Sequence, residues 1–448
     1  CRGNTGMSSN GNDILVYKDR LQGIYKDLNK KYSHEFNLSV SNGYTVTSRS
    51  SEVENIEYHE DMALNITVYN NFKKGNASTN NLSSENIIKT IEKAENISQN
   101  TQADDCQGLP ESNFTEKEWD DLGIYYPRDL EIENVIEMTK DCEAEAFKTD
   151  KRVSNSEGST FSFSKNSHMI LNTNGAYGAY NSTDYSLSCI ALAEENKLME
   201  RDYWYSSSRD FKKLEEGSSI GKKAAQRVLS RLGAKTLKTR VCPVLFSPEM
   251  SASIISNFLS AINGSAIYKK SSFLLDKINE KIFPDFVNIQ EEPLLSNGPA
   301  TRPYDSEGVL TENKNIVDNG ILKTYLLDTY SSRKLKMDCT GNGVLTNITM
   351  NSSEPLVSDI ISTLKNGIYI TDMMGSGANT LTGDYSRGAF GYLVENGEIQ
   401  YPVTEITVAS NLSQMFQNII ALGDDIDLRN RIRTGSLLID NITIGGTN

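Results

Sequence analysis

Residues 389–395 and 398–408, AFGYLVE and EIQYPVTEITV, are two runs of β-forming residues joined only by Asn396-Gly397. A two-residue Asn-Gly link supplies the positive φ angles of a tight hairpin turn, and its shortness pins the register of both strands. Asn319-Gly320, also flanked by apolar residues, repeats the signal. The second half must therefore build antiparallel sheet. The first half mixes helical and strand periodicity without the regular strand–helix–strand alternation of a doubly wound fold. The expected class is α+β. An N-terminal domain of antiparallel sheet with packed helices is expected over 12–235, and a C-terminal domain of largely antiparallel, barrel-like sheet with few helices over 236–448.

Within that frame, apolar spacing predicts helices over 13–33, 84–99, 131–147, 217–232 and 249–262. Short alternating runs predict strands over 36–49 and 52–70, with Asn42-Gly43 as a turn, and further strands over 159–193 and 241–246. Gly233 suits a helix end at the domain boundary.

The 448 residues carry 45 Lys+Arg against 59 Asp+Glu, a net charge of −14, which argues against a dedicated nucleic-acid binder. No apolar run approaches the roughly 20 residues needed to span a bilayer, and the start shows no signal-peptide core. A cytoplasmic location is the expectation, with no membrane partner. The six cysteines (Cys1, Cys106, Cys142, Cys189, Cys242, Cys339) form no C-x-x-C pair and read as reduced thiols. Cys1 reads as a trimmed start rather than a lipoprotein anchor.

Residue chemistry alone selects no active site. Among the three histidines, His34-Glu35 is the only His-Glu dipeptide, but Leu38 and Ser39 stand where a second zinc ligand would follow, so it reads as a solvated helix or loop end. His59 and His168 sit in polar, strand-like contexts. No G-x-S-x-G elbow occurs. GSSIGKK (217–223) lacks the ending of a phosphate loop and reads as a helix start. GSGANTLTG (375–383) and SRGAFG (386–391) flank the strong hairpin. Their glycines permit either close strand packing or an extended peptide laid along a sheet edge, and packing is favoured.

A family pattern emerges from longer segments. RPYDSEGVLTENKNIVDNGIL (302–322), TYSSRKL (329–335), TGDYSRGAFGYLVENGEIQYPVTEITVASNL (382–412) and GDDI (423–426), with SEVENIEYHEDMALNITVY (51–69), KRVSNSEG (151–158), AEENKLMERDYWY (193–205) and INGSAIYKKSSFLLD (262–276), resemble the TldE/PmbA members of the TldD/TldE metalloprotease family. The likeness runs from about residue 12 onward, in order and with few gaps. It implies a role in proteolysis of unfolded or extended peptides, including toxin-precursor maturation and antitoxin degradation, by a heterodimer with a TldD-like catalytic subunit. Such proteins were once described as modulators of DNA gyrase.

In the TldD member the zinc site is a helical H-E-x-x-x-H motif with a later Cys. Matched position by position, that helix falls on Pro248, Glu249, Met250, Ser251, Ala252 and Ser253, and the Cys on Thr434. Only Glu249 is retained. The resemblance therefore implies no metal and no cofactor in this subunit, zinc in the TldD-like partner, and Glu249 as a helix-start residue without a catalytic role. Asp384, Tyr385, Ser386, Arg387, Gly388 and Ala389 are expected on a sheet edge that could receive peptide. The alternatives are a self-sufficient hydrolase with an unrecognised site, or a peptide-binding or gyrase-related regulator. A homodimer in the partner's absence stays open.

Overall fold

The computed structural model describes residues 13–26, 28, 31–111, 117–119 and 121–447. Cys1 lies outside them, as do residues 27, 29 and 30 of the first expected helix.

The first half contains α1 (Asp13–Lys26), β1 (Ser33–Arg49), β2 (Glu52–Asn70), β3 (Lys73–Thr79), α2 (Ser84–Asn100), β4 (Lys117–Trp119), α3 (Ile132–Thr149), β5 (Val153–Asn172), β6 (Tyr177–Glu195), β7 (Leu198–Ser208) and α4 (Gly217–Arg231). Its strands form one seven-stranded sheet in the order β3-β2-β1-β5-β6-β4, with β7 also paired to β6. All pairings are antiparallel except β4 with β6.

Because strand side chains alternate between faces, Phe36, Leu38, Tyr44 and Val46 of β1 point to one side, where helices cover them. Ile87, Ile91 and Ala94 of α2, with Leu21 of α1, pack over Phe36 and Leu38. Val135 and Cys142 of α3 and Ile220 and Val228 of α4 cover Tyr44, Val46, Phe161 and Leu187. The opposite face carries Glu35, Asn37 and Ser39.

Two local expectations are corrected here. Asn42-Gly43 is no turn: β1 runs straight through it, and the reversal comes at Ser50-Ser51, with φ of 53° and 64°. Gly43 is needed for close approach, since a Cβ there would stand 1.9 Å from the Phe163 carbonyl oxygen. His34-Glu35 is no solvated end either. Both lie in β1 and are buried on opposite faces, and His34 Nε2 meets Glu95 Oε1 at 3.0 Å.

The second half adds β8 (Arg240–Phe246), α5 (Pro248–Ala261), α6 (Gly264–Tyr268), β9 (Val287–Glu291), β10 (Lys314–Asp318), β11 (Ile321–Leu322), α7 (Thr329–Leu335), β12 (Ile348–Ser352), α8 (Ile360–Thr363), β13 (Asn366–Met374), β14 (Asp384–Glu395), β15 (Glu398–Asn411), α9 (Leu412–Gln417), β16 (Ile419–Leu422), β17 (Ile432–Arg433) and β18 (Leu437–Gly445). The order β15-β14-β13-β8-β18 closes on itself through β15 pairing with β18, giving a five-stranded barrel with β16 appended to β18. A second sheet runs β11-β10-β9-β12-β17. The α+β expectation, barrel included, matches this architecture.

Asn396-Gly397 and Asn319-Gly320 do turn their hairpins, with φ of 53° and 80°, and 47° and 77°. Helix α5 buries Ile254, Ile255 and Phe258 among Val244, Phe246, Ile289, Met350 and Leu437. Phe258 meets the rings of Phe283 at 5.0 Å and Phe416 at 5.7 Å. Arg209, behind β7, ties the halves together by donating to the Pro299 carbonyl at 2.5 Å while holding Asp184 at 2.7 Å. Among the described residues no helix is long and apolar enough to cross a membrane.

Candidate functional site

Helix α5 starts directly after β8, with Pro248 at its first position and Glu249 in its first turn. Proline fits there because its missing N–H would be unsatisfied anyway, and a carboxylate is favoured near the positive end of the helix dipole. The helix start is pinned to the barrel by Ser251, whose hydroxyl donates to the Phe246 carbonyl (3.1 Å) and accepts from the Leu437 amide (3.0 Å).

Glu249 is largely withdrawn from solvent. Its Oε1 accepts from Arg429 Nη2 at 2.9 Å, and Arg227 Nη1 of α4 lies 3.5 Å from Oε2. Arg429 also grips Asp427 through Nε (2.8 Å) and Nη2 (3.0 Å), and donates to the Tyr205 carbonyl at 3.0 Å. Its guanidinium stacks 4.0 Å from the Trp204 ring centre. Arg227 reaches Asp202 at 3.1 Å. Arg231 joins Asp202 (3.3 Å) to Asp372 (3.4 Å) and lies 3.9 Å over Phe390. Burial pushes the Tyr203 hydroxyl up, and the Glu249 carboxylate adds to this. Residues of β7 and α4 thus meet α5 and the 424–434 loop in one network of alternating charges.

The remaining expected positions fall on either side of it. Ser253 Oγ accepts from Arg387 Nη1 at 2.9 Å, and Arg387 Nη2 donates to the Met373 carbonyl at 2.9 Å. One residue of the helix motif and one of the 384–389 segment therefore meet. Thr434 is fully buried, its hydroxyl donating to the Gly435 carbonyl at 3.1 Å and lying 3.6 Å from Met350 Sδ.

The sheet-edge expectation for Asp384–Ala389 is corrected. β14 lies inside the barrel between β13 and β15. Its first residues pair with β15, while Tyr385 bridges to Ala378 and the Ser386 amide donates to the Gly377 carbonyl. Tyr385 and Ala389 are buried in the core, and Gly388 pairs with Met374. Asp384 and Ser386 keep exposed side chains. Main-chain pairing to an added peptide strand is closed off along β14, because both its edges are already taken.

A metal at α5 would require free donors without neighbouring positive charge. Pro248 offers no donor, Ser253 is engaged by Arg387, and both oxygens of Glu249 face guanidinium groups. These residues do not fit a cation. Among the described residues the one group of three close candidate ligands is Asp104, Asp105 and Cys106. There Asp104 is already committed to Lys334 and Tyr330, at 2.9 and 2.8 Å, and the Lys334 bond holds its carboxyl at about 2. Sequence reasoning singled out neither Arg227 nor Arg429. The one local signal was the GDDIDLRNR run (423–431), in which three aspartates are followed by two arginines.

Family models place the chain in a class of metallopeptidases. Those described as PmbA/TldA metallopeptidase domain 1, central domain and C-terminal domain match residues 35–98, 125–232 and 239–446. The chain belongs to the PmbA/TldE family. It is 40% identical over 416 residues to the metalloprotease PmbA homolog of Haemophilus influenzae, covering 92% of each chain. Identity is also 40% over 413 residues to metalloprotease PmbA of Escherichia coli O157:H7, again with 92% of each covered. A crystal structure of a proposed modulator of DNA gyrase from Bacteroides thetaiotaomicron superposes with a TM-score of 0.90 at 29% identity, over 98% of this chain and 100% of that one. TldE from Thermococcus kodakarensis shares the fold, with a TM-score of 0.82 at 18% identity over 96% of this chain and 100% of that one.

Proposed function

We propose that this chain is the non-catalytic subunit of a two-chain zinc peptidase, pairing with a TldD-like subunit that carries the metal and cleaves unfolded or extended peptides in the cytoplasm. Toxin precursors and antitoxins are the substrate class that the family likeness suggests. The observation that carries the reading is the environment of Glu249. A general base that activates metal-bound water needs a free carboxylate beside a Lewis acid, whereas this one is held by Arg429 and flanked by Arg227. Glu249 acts as a clasp between the two halves. The division of the chain at 235/236 belongs to the same proposal, with the 236–448 half presenting the exposed side chains of Asp384 and Ser386 toward peptide or partner.

Co-expression with a TldD-like chain tests it. The two should co-purify as a heterodimer that cleaves an unfolded protein such as casein, while this chain alone, as monomer or homodimer, should not. Cleavage by this chain alone, with about one tightly held zinc per chain, would replace the proposal with a self-sufficient hydrolase.

A further inference from the structure

The face of the first sheet turned away from its helices is polar. Glu35 and Asn37 of β1 pair directly with Thr67 and Asn65 of β2, and Ser39 and Tyr69 lie further along the same face. The loop from Arg302 to Glu307, from the second half of the chain, lies over them, and Asn37 Nδ2 donates to the Ser306 carbonyl at 3.1 Å. Together they enclose a cavity of about 520 Å³, large enough for a small ligand. Exposed Asn65, Lys74, Asn76 and Ser306 form its mouth.

The cavity has two poles. At one end Glu35 is 5% exposed; its Oε1 accepts from Asn37 at 3.0 Å, and its Oε2 has no partner. The other acids there are occupied. Asp305 accepts from the amides of Glu307, Val309 and Gly343, and Glu307 from that of Thr329. At the other end Arg302 stands beside His168 and Tyr180, with its Nε buried and unpaired. A buried carboxylate oxygen and a buried guanidinium N–H left unpaired are costly unless something else meets them.

His168 pairs across the sheet with Ser39, four residues along β1 from Glu35. The backbone at Glu35 and that at Ser39, beside His168 and its neighbour Arg302, are thus about 13 Å apart along the strand. An extended peptide of three or four residues spans about 10–14 Å. We propose that this cavity binds a short zwitterionic peptide, its α-ammonium on Glu35 and its α-carboxylate on Arg302. Burial, then Glu307, lifts the Glu35 carboxyl to about 8, with Lys74 opposing. Glu35 is therefore protonated at neutral pH in the empty cavity, and an arriving ammonium displaces that proton to solvent. The site shares no residue with the α5 network, so it stands or falls separately from the peptidase assignment.

Isothermal titration of the full chain with trialanine, N-acetyl-trialanine and trialanine amide tests the inference. Trialanine should bind with release of a proton, read from the dependence of the heat on buffer ionisation. Blocking either terminus should weaken binding at least tenfold. Glu35→Gln should remove the preference for a free amino terminus, and Arg302→Gln that for a free carboxylate, with Arg302→Lys partly restoring it. Equal binding of blocked and free peptides would overturn the proposal, as would no heat at millimolar peptide. So would stabilisation by calcium or magnesium that Glu35→Gln abolishes while trialanine has no effect. Glu35→Gln takes away a buried acid without changing shape, so its fold is expected to survive and its binding data to be readable.

Discussion

Replacing Glu249 with Gln separates a structural clasp from a catalytic base. The change removes the charge that meets Arg429 at 2.9 Å and Arg227 at 3.5 Å, in side chains that are 17%, 13% and 26% exposed. Exposed ion pairs contribute about 0–1 kcal/mol, and breaking a fully buried one costs about 3–5 kcal/mol. This pair is mostly but not wholly buried, and Arg429 and Arg227 keep Asp427 and Asp202. A cost of about 2 kcal/mol follows. For a cooperative unit of roughly 200 residues that lowers Tm by about 4–8 °C. Differential scanning calorimetry of the isolated chain reads the shift, and casein cleavage by the heterodimer below the transition reads the activity. Activity close to that of the unsubstituted complex is expected. An unchanged Tm with abolished cleavage in an assembled heterodimer would refute the reasoning, because it would make Glu249 a working base.

Gly43→Ala should be among the most damaging small substitutions in the first sheet, since its Cβ would meet the Phe163 carbonyl at 1.9 Å; overpacking of this kind costs about 1–3 kcal/mol or more, and an unchanged urea midpoint would show that β1 and β5 can part freely. Glu35→Gln should stabilise the chain in a pH-dependent way. The folded carboxyl titrates near 8 against an ordinary 4.5, so the folded state holds a proton that the unfolded state releases between those values, and stability falls as pH rises from about 4.5 to 8. Glutamine lacks this loss; the gap in urea midpoints should be small at pH 5 and widest above pH 8, and an equal gap at both would contradict the assignment. Phe258→Ala, fully buried against Phe283 and Phe416, should cost about 3–5 kcal/mol and lower the Tm without changing the family of contacts at Glu249; loss of partner binding in a still folded variant would count against a purely packing role.

The hairpin at 389–408 was legible because the turn chemistry is local: both Asn396 and Gly397 need positive φ, and nothing distant overrides them. Asn42-Gly43 misled for the opposite reason. The glycine there answers to a carbonyl on β5, some 120 residues on, and no neighbouring residue reports that. His34-Glu35 read as a solvated end because no second zinc ligand follows it and two residues carry no strand periodicity, yet β1 is covered on both faces, His34 meeting Glu95 of α2 and the Glu35 face lying beneath a loop that Asn37 meets across 269 positions. The helix at 249–262 was readable from its periodicity, while the ion pair that defines Glu249 joins residues 180 positions apart. The expected edge at 384–389 vanished because β15 takes one side of it while Ala378 and Gly377, in the segment after β13, take the other, and no local pattern names that second partner.

That closure also sets an order of events during synthesis. The seam joins Leu437 to Phe246 and Thr407 to Gly445, so the edge of β8 that β13 does not take waits for a partner roughly 190 residues downstream, and contacts of such separation form slowly. While the ribosome still holds β18, β13, β14 and β15 can zip together as hairpins, leaving β15 and β8 with unpaired backbone along their outer sides. Such open flanks invite pairing with other nascent chains. The interval before residue 445 emerges is the moment of greatest exposure to misassembly. Synthesis rate and chaperone supply, rather than the stability of the finished barrel, would then govern how much of the protein a cell obtains.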